Sequence, residues 1–220
     1  MLQIRFFGWI CMLFIQISVF AQDSKDHLLE HTLLLTLSPL ALADIYDGAS
    51  YRIGGELKMG PKLAFAIEGG GYLNYLKSTK SNPKGFLIKP EIKYYFGQNT
   101  KGDRKFTAVE YGFKDQQYDF KHPLLVDENP VERKYKMWRK VHTVTLKYGL
   151  SRNWGRHFNL QWYAGVGLRI LHSDRELSEA DREILATATD DCSLQENLIK
   201  VVGNKVLPNF QLGLRLGFGL

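Results

Sequence analysis

Cysteine is almost absent from this chain of 220 residues, which holds only Cys11 and Cys192. Cys11 lies within an N-terminal apolar stretch, so removal of that stretch leaves Cys192 alone and no disulfide within the chain. No C-x-x-C pair occurs, and neither the lone thiol nor the six histidines lead us to expect a metal site. No run reaches the ~18 consecutive apolar residues of a transmembrane helix. Phosphate loops are missing too: Gly69-Gly70-Gly71 and Gly165-x-Gly167 lie inside strand-like stretches with no helix after them. No cofactor is therefore expected.

The N-terminus carries an export signature. Arg5 precedes the apolar stretch of residues 6–20, and Val19-Phe20-Ala21 offers a small-residue cleavage site. Residues 1–21 are expected to form a signal peptide, with a mature domain over 22–220. Cleavage lowers Lys+Arg from 29 to 28 against 23 acids, a net charge of about +5. On an exported protein that excess does not point to nucleic acid.

What the chain has in abundance is alternation with a period of two. Over residues 158–170, Phe158, Leu160, Trp162, Ala164, Val166, Leu168 and Ile170 share one face. Similar stretches predict eight strands near 31–38, 50–59, 62–75, 85–96, 105–114, 140–151, 157–171 and 207–220. The connections alternate between short ones (around 60–61, 97–104 and 152–156) and long ones (39–49, 76–84, 115–139 and 172–206). This is the pattern of an all-β, eight-stranded antiparallel up-and-down transmembrane β-barrel with short periplasmic turns and long outer loops. Within the last loop, Ser178 and Asp181 form a capping box before a helical turn or two.

Volume decides which face is inside. About five large apolar residues on each strand give roughly 40 bulky side chains, too many for an eight-stranded interior. The opposite face fits, because it is rich in glycine and in charges able to pair. Arg52, Glu56, Glu68, Lys89, Glu91, Lys93, Glu110, Lys147, Arg169 and Arg215 are expected to form a polar network inside the barrel, which plugs the lumen. The apolar face then meets lipid, and Tyr94, Phe96, Tyr148, Phe158 and Phe218 gather near the short turns as an interfacial girdle. Pro90 removes a ladder hydrogen bond within its strand, and a bulge is expected there.

The last strand, PNFQLGLRLGFGL (208–220), alternates to its final residue. Gln211, Gly213, Leu216 and Phe218 resemble the signal read by the outer-membrane barrel assembly machinery, displaced two residues from the terminus. Together with KPEIKYYFG (89–97), NLQWYAGVGLRI (159–170) and the leader ending VFAQ, they make the chain resemble the OmpA/OmpX-like outer-membrane barrels. More narrowly, it is similar to a small Gram-negative barrel family, common in Bacteroidetes, of unknown function. The resemblance implies an outer-membrane location and says little about activity.

Three roles follow from such a barrel. The first is structural, or binding through the outer loops. RKYKMWRK (133–140) places Arg133, Lys134, Lys136, Arg139 and Lys140 where they could pair with lipopolysaccharide phosphates or an extracellular partner. A second is lipid modification of the lipid A deacylase kind. His172-Ser173-Asp174 does not support it, because adjacent strand residues point to opposite faces and cannot share a proton. The third is a soluble periplasmic ligand-binding barrel, whose apolar face would have to turn inward. The favoured expectation is an integral outer-membrane protein without catalysis.

Overall fold

The computed structural model describes residues 33–43, 49–73, 80–98, 103–126, 129–155, 157–176 and 203–220. The expected signal peptide at 1–21, the expected start of the mature chain, the expected capping box at Ser178 and Asp181, and Cys192 all lie outside these residues. Eight strands form one closed antiparallel ring in chain order. They are β1 (Leu33–Leu37), β2 (Ser50–Lys58), β3 (Leu63–Tyr72), β4 (Lys80–Gln98), β5 (Arg104–Val126), β6 (Asn129–Trp154), β7 (Phe158–Arg175) and β8 (Gly203–Gly219).

The pairing register sets the shape of the barrel. Leu34 pairs directly with Gly219. Followed the other way round, through Glu56, Ala66, Glu91, Glu110, Thr145, Gly167 and Asn209, the ladder returns ten residues earlier on β8 (219 − 209). A stagger of ten at about 3.3 Å per residue, against eight strands about 4.8 Å apart, tilts the strands by about 40°. An eight-stranded barrel of that tilt has just enough interior for side chains to fill.

Alternation turns the apolar side chains out. Leu33, Leu35, Ile53, Leu57, Phe65, Ile67, Ile92, Val109, Leu146, Val166, Leu168 and Phe210 are exposed, while their neighbours in sequence mostly face inward. A soluble barrel would show the reverse. Two glycines let large rings lie across the lumen. A Cβ at Gly213 would sit 2.0 Å from Tyr163 Cζ, and one at Gly149 would sit 2.4 Å from Phe106 Cζ.

Aromatic rings collect at two levels of the outer face. Near the short turns, Tyr94 stacks with Phe96 (6.4 Å), Phe96 meets Tyr148 (6.2 Å) and Phe158 meets Phe218 edge-on (5.6 Å). A second group joins Phe86 to Phe113 (5.8 Å) and Phe113 to His142 (5.0 Å), with Tyr111 hydroxyl 2.7 Å from His142 Nδ1. Eight residues of β4 separate Tyr94 from Phe86, about 20 Å along the axis at this tilt. That spacing is comparable to the ~25 Å apolar band of outer-membrane barrels.

Two expectations need correction. The expected fifth loop, 115–139, is strand on both sides of residues 127–128: β5 and β6 pair continuously from Arg104 and Ser151 out to Val126 and Asn129. Polar residues fall at both parities of this stretch in the sequence, so its strand character left no apolar period to read. Pro90 marks no bulge. It pairs in register with Ile67, and the β4–β5 register is the same at Ile88–Phe113 as at Glu91–Glu110. Its missing N–H is accommodated by a gap in the ladder, without an inserted residue. Register shifts occur instead between Ser81 and Lys84 and at Gly97, whose φ of +61° suits a glycine bulge.

Candidate functional site: an ion-paired lumen

Four carboxylates and four cations meet in the barrel interior, all nearly inaccessible: Glu56, Glu68, Glu91 and Glu110 with Lys89, Lys93, Lys147 and Arg215. Each is placed there by strand alternation, and the row Glu56–Glu91–Glu110 follows one line of cross-strand partners round the wall. Arg215, reaching across from β8, grips Glu91 with both terminal nitrogens (3.0 and 2.8 Å) and donates from Nε to Glu68 (2.9 Å). Lys147 bridges Glu91 (2.7 Å) and Glu110. Lys89 completes Glu110 at 3.0 Å, and Lys93 binds Glu56 at 2.6 Å.

Neutral groups satisfy most of the remaining valences, with Glu68 Oε2 left without a hydrogen-bond partner. Gln161 donates to Glu56 (2.9 Å) and accepts from Lys93 (2.7 Å), and Tyr95 hydroxyl donates to Glu56. Gln211 donates to Glu110 (3.1 Å), and Ser38 hydroxyl to Glu68. Rings cover the cations: Tyr163 lies 4.2 Å from Lys147 Nζ and 5.0 Å from the Arg215 guanidinium, and Phe106 lies 4.9 Å from Lys93 Nζ. The network takes members from every strand from β2 to β8, with Ser38 just beyond β1. Buried ions are tolerable because each charge is paired and hydrogen-bonded. Toward the short turns, a void of about 10 Å³ beside Tyr95, Arg104 and Asn159 has room for at most one water.

Arg52 and Arg169, the other two residues expected in the network, are also buried. They stand nearer the outer end, with Lys114 and Arg139, two interior cations that sequence reasoning missed. The signal was available: continuing the parity of Glu110 outward reaches Lys114, and continuing that of Lys147 reaches Arg139.

The basic stretch RKYKMWRK is accordingly split. Lys136, Trp138 and Lys140 face out, whereas Arg139 turns in, donates to Ser173 hydroxyl (3.2 Å) and lies 5.9 Å from the Tyr118 ring. The side chains of Arg133 and Lys134 lie outside the described residues. Five cations therefore do not form one outward patch, because successive strand residues alternate.

His172 and Ser173 diverge for the same reason. His172 Nδ1 meets Asn204 Oδ1 at 2.6 Å on the outside, and Ser173 meets Arg139 inside. No group of three or more His, Cys, Asp or Glu able to hold a metal occurs among the described residues. His27 and His31, spaced as H-x-x-x-H, escaped the sequence reading and also lie outside those residues.

In the final strand, Gly213 and Gln211 face the lumen, while Leu216 and Phe218 face out. Leu216 pairs with Leu37, and Phe218 with Leu35, at the closing seam. No helix among the described residues is long and apolar enough to cross a membrane, which says nothing about strands.

No curated protein matches the chain. Among solved structures, the N-terminal β-barrel domain of Pseudomonas aeruginosa OprF is similar at 11% identity and a TM-score of 0.41, over 86% of this chain and 98% of that one. The match that assigns the chain is to a family profile over residues 43–189, which takes in β2 to β7. The chain belongs to the family described as protein of unknown function DUF3575.

Proposed function

We propose that the chain is an integral outer-membrane barrel of a Gram-negative envelope, exported by its N-terminal signal, with a structural or loop-binding role and no catalysis. The observation that carries this reading is the inverted polarity: an apolar outer wall around a paired ionic interior. In water that wall would be an aggregation surface, whereas in hydrocarbon it is the solvated face. Its direct partners are then outer-membrane lipids, with the barrel assembly machinery engaging Gln211, Gly213, Leu216 and Phe218 during insertion.

Contact with lipopolysaccharide phosphates falls to Lys136 and Lys140, flanking the outward Trp138, with Arg133 and Lys134 farther along β6. Such a surface suits headgroups, since an aromatic ring and two ammonium groups lie together beyond the apolar band.

Membrane fractionation with gel migration before and after boiling tests the reading. Wild type is expected in the outer membrane as a heat-modifiable band, and a Leu216→Ala, Phe218→Ala variant is expected to accumulate unassembled. A soluble periplasmic wild type would overturn the proposal.

A further inference from the structure

Three basic side chains meet on the outward side of β6 and β7, at the outer aromatic level. Lys140 pairs with His172, and His142 with Ile170, so the four residues form one ladder rectangle. Lys140, His172 and Ile170 are exposed, and His142 is half-buried. Directly opposite residues stand about 4.5–5.5 Å apart at Cβ and diagonal ones about 7–8 Å, so one small anion can touch all three basic groups. His142 belongs to the aromatic group with Tyr111 and Phe113. Lys140 lies two residues farther out, about 5 Å along the axis at this tilt.

Both imidazole rings are oriented by neighbours. His172 Nδ1 lies 2.6 Å from Asn204 Oδ1. That oxygen can only accept, so Nδ1 carries the proton and Nε2 is left for a ligand. Tyr111 hydroxyl lies 2.7 Å from His142 Nδ1, and Phe113 packs on the same ring at 5.0 Å. With the hydroxyl donating, a neutral His142 carries its proton on Nε2, ready for an acceptor. A merely solvated strand end needs neither ring held.

The charges around the rectangle favour an anion. Lys140 forms no ion pair among the described residues, even with Asp115 opposite it on β5. Asp174, two residues beyond His172, already has a contact of its own. An ammonium beside two imidazoles repels a metal cation and suits a group with several anionic oxygens. Three donor groups match the three terminal oxygens of a phosphomonoester, whereas a diester has only two. Toward the belt, Ile170, Leu168 and Val144 are exposed and apolar. The occupant that fits is charged at this level and apolar beneath it.

We infer that Lys140, His142 and His172 form a binding site for the phosphomonoester of an outer-leaflet lipid, whose chains lie on Ile170, Leu168 and Val144. Lys140 and the Nε2–H of His142 each donate to one terminal oxygen. His172 donates to the third once its Nε2 takes a proton, a form that the adjacent phosphate stabilises. Lys136 stands about 10 Å farther out along the axis and lies outside the site. This inference rests on the membrane reading above and narrows its headgroup contact to one phosphate.

The test reconstitutes the full chain in phosphatidylcholine vesicles doped with phosphatidic acid, a phosphomonoester, or with phosphatidylglycerol, a diester. Insertion is checked first by heat-modifiable migration, and lipid retained after detergent extraction is then counted by native mass spectrometry. Wild type is expected to retain one phosphatidic acid in preference to either diester. Lys140→Gln and His142→Gln are each expected to lower that preference about tenfold, as for loss of one charge-assisted contact. Tyr111→Phe keeps its ring but releases the imidazole, and is expected to lower the preference about threefold. Lys136→Gln should leave it unchanged. Millimolar inorganic phosphate should not displace the lipid, since it lacks the chains, and full displacement would overturn a lipid as the occupant. An inserted wild type with no preference among the three lipids would overturn the site and leave the membrane reading intact. So would a loss in Lys136→Gln as large as in His142→Gln. A chain that fails to insert overturns the membrane reading, and this inference with it.

Discussion

The belt of the barrel between its two aromatic levels and the long β5–β6 ribbon beyond it are built from the same ladder, yet they obey different rules. Within the belt, each strand separates an apolar outer face from an ionic inner face. In the ribbon past Lys114 and Val141, polar residues occur on both faces and the separation fades. The difference teaches that an apolar period marks a boundary between two solvents. Where the inner face also carries polar groups, as Gln116 and Arg139 do beside buried Tyr118 and Met137, a strand keeps its hydrogen bonds and loses the pattern.

The largest expected effect lies in the belt. Glu91→Ala removes the shared partner of Arg215, Lys147 and Lys93 and leaves their charges buried. It should cost about 3–5 kcal/mol, as does breaking other buried pairs. Urea unfolding in vesicles reads this directly, and an unchanged midpoint would show the network to be energetically idle.

Next comes the outer face at the same level. Leu146→Arg places a charge in hydrocarbon and should destabilise by about 2–4 kcal/mol if the residue lies near the midplane. The same unfolding measurement applies, with a neutral result implying that Leu146 never meets lipid. Gly213→Ala is expected to be milder, about 1–3 kcal/mol of overpacking, because the Tyr163 ring must shift away from Lys147 and Arg215. Restored stability in a Gly213→Ala, Tyr163→Leu double variant would tie the effect to that ring.

The smallest effect belongs to the ribbon. Lys140→Glu should change stability by no more than about 0.5 kcal/mol, while weakening retention on immobilised lipopolysaccharide. Stability loss comparable to Glu91→Ala would erase the distinction between the two regions.

Much of the fold is legible where the two faces of a strand differ in polarity. Phe158 to Ile170 announced β7, and the parity of Glu56, Glu91, Lys147 and Arg215 announced the interior. Which of these charges pair was not readable, because Arg215 and Glu68 are neighbours only through closure of a staggered ring. The ribbon reads as a loop in the sequence, since Asp115 to Arg139 carries no sustained apolar alternation. Arg139 reads as part of a surface patch because composition groups neighbours in sequence, whereas a strand sends them to opposite sides. The brevity of β1 was hidden too: Leu33 to Leu37 alternate well, and nothing in that short run shows that a 3-10 helix, Pro39–Ala43, follows it.

The most direct test of the account is fluorescence quenching by brominated lipids at adjacent positions of β7. A Cys192→Ser background carrying Leu168→Cys or Arg169→Cys would be labelled and reconstituted in vesicles. The account predicts strong quenching at position 168 and little at 169. Equal quenching at both, or the reverse order, would contradict an apolar wall facing lipid around an ionic core.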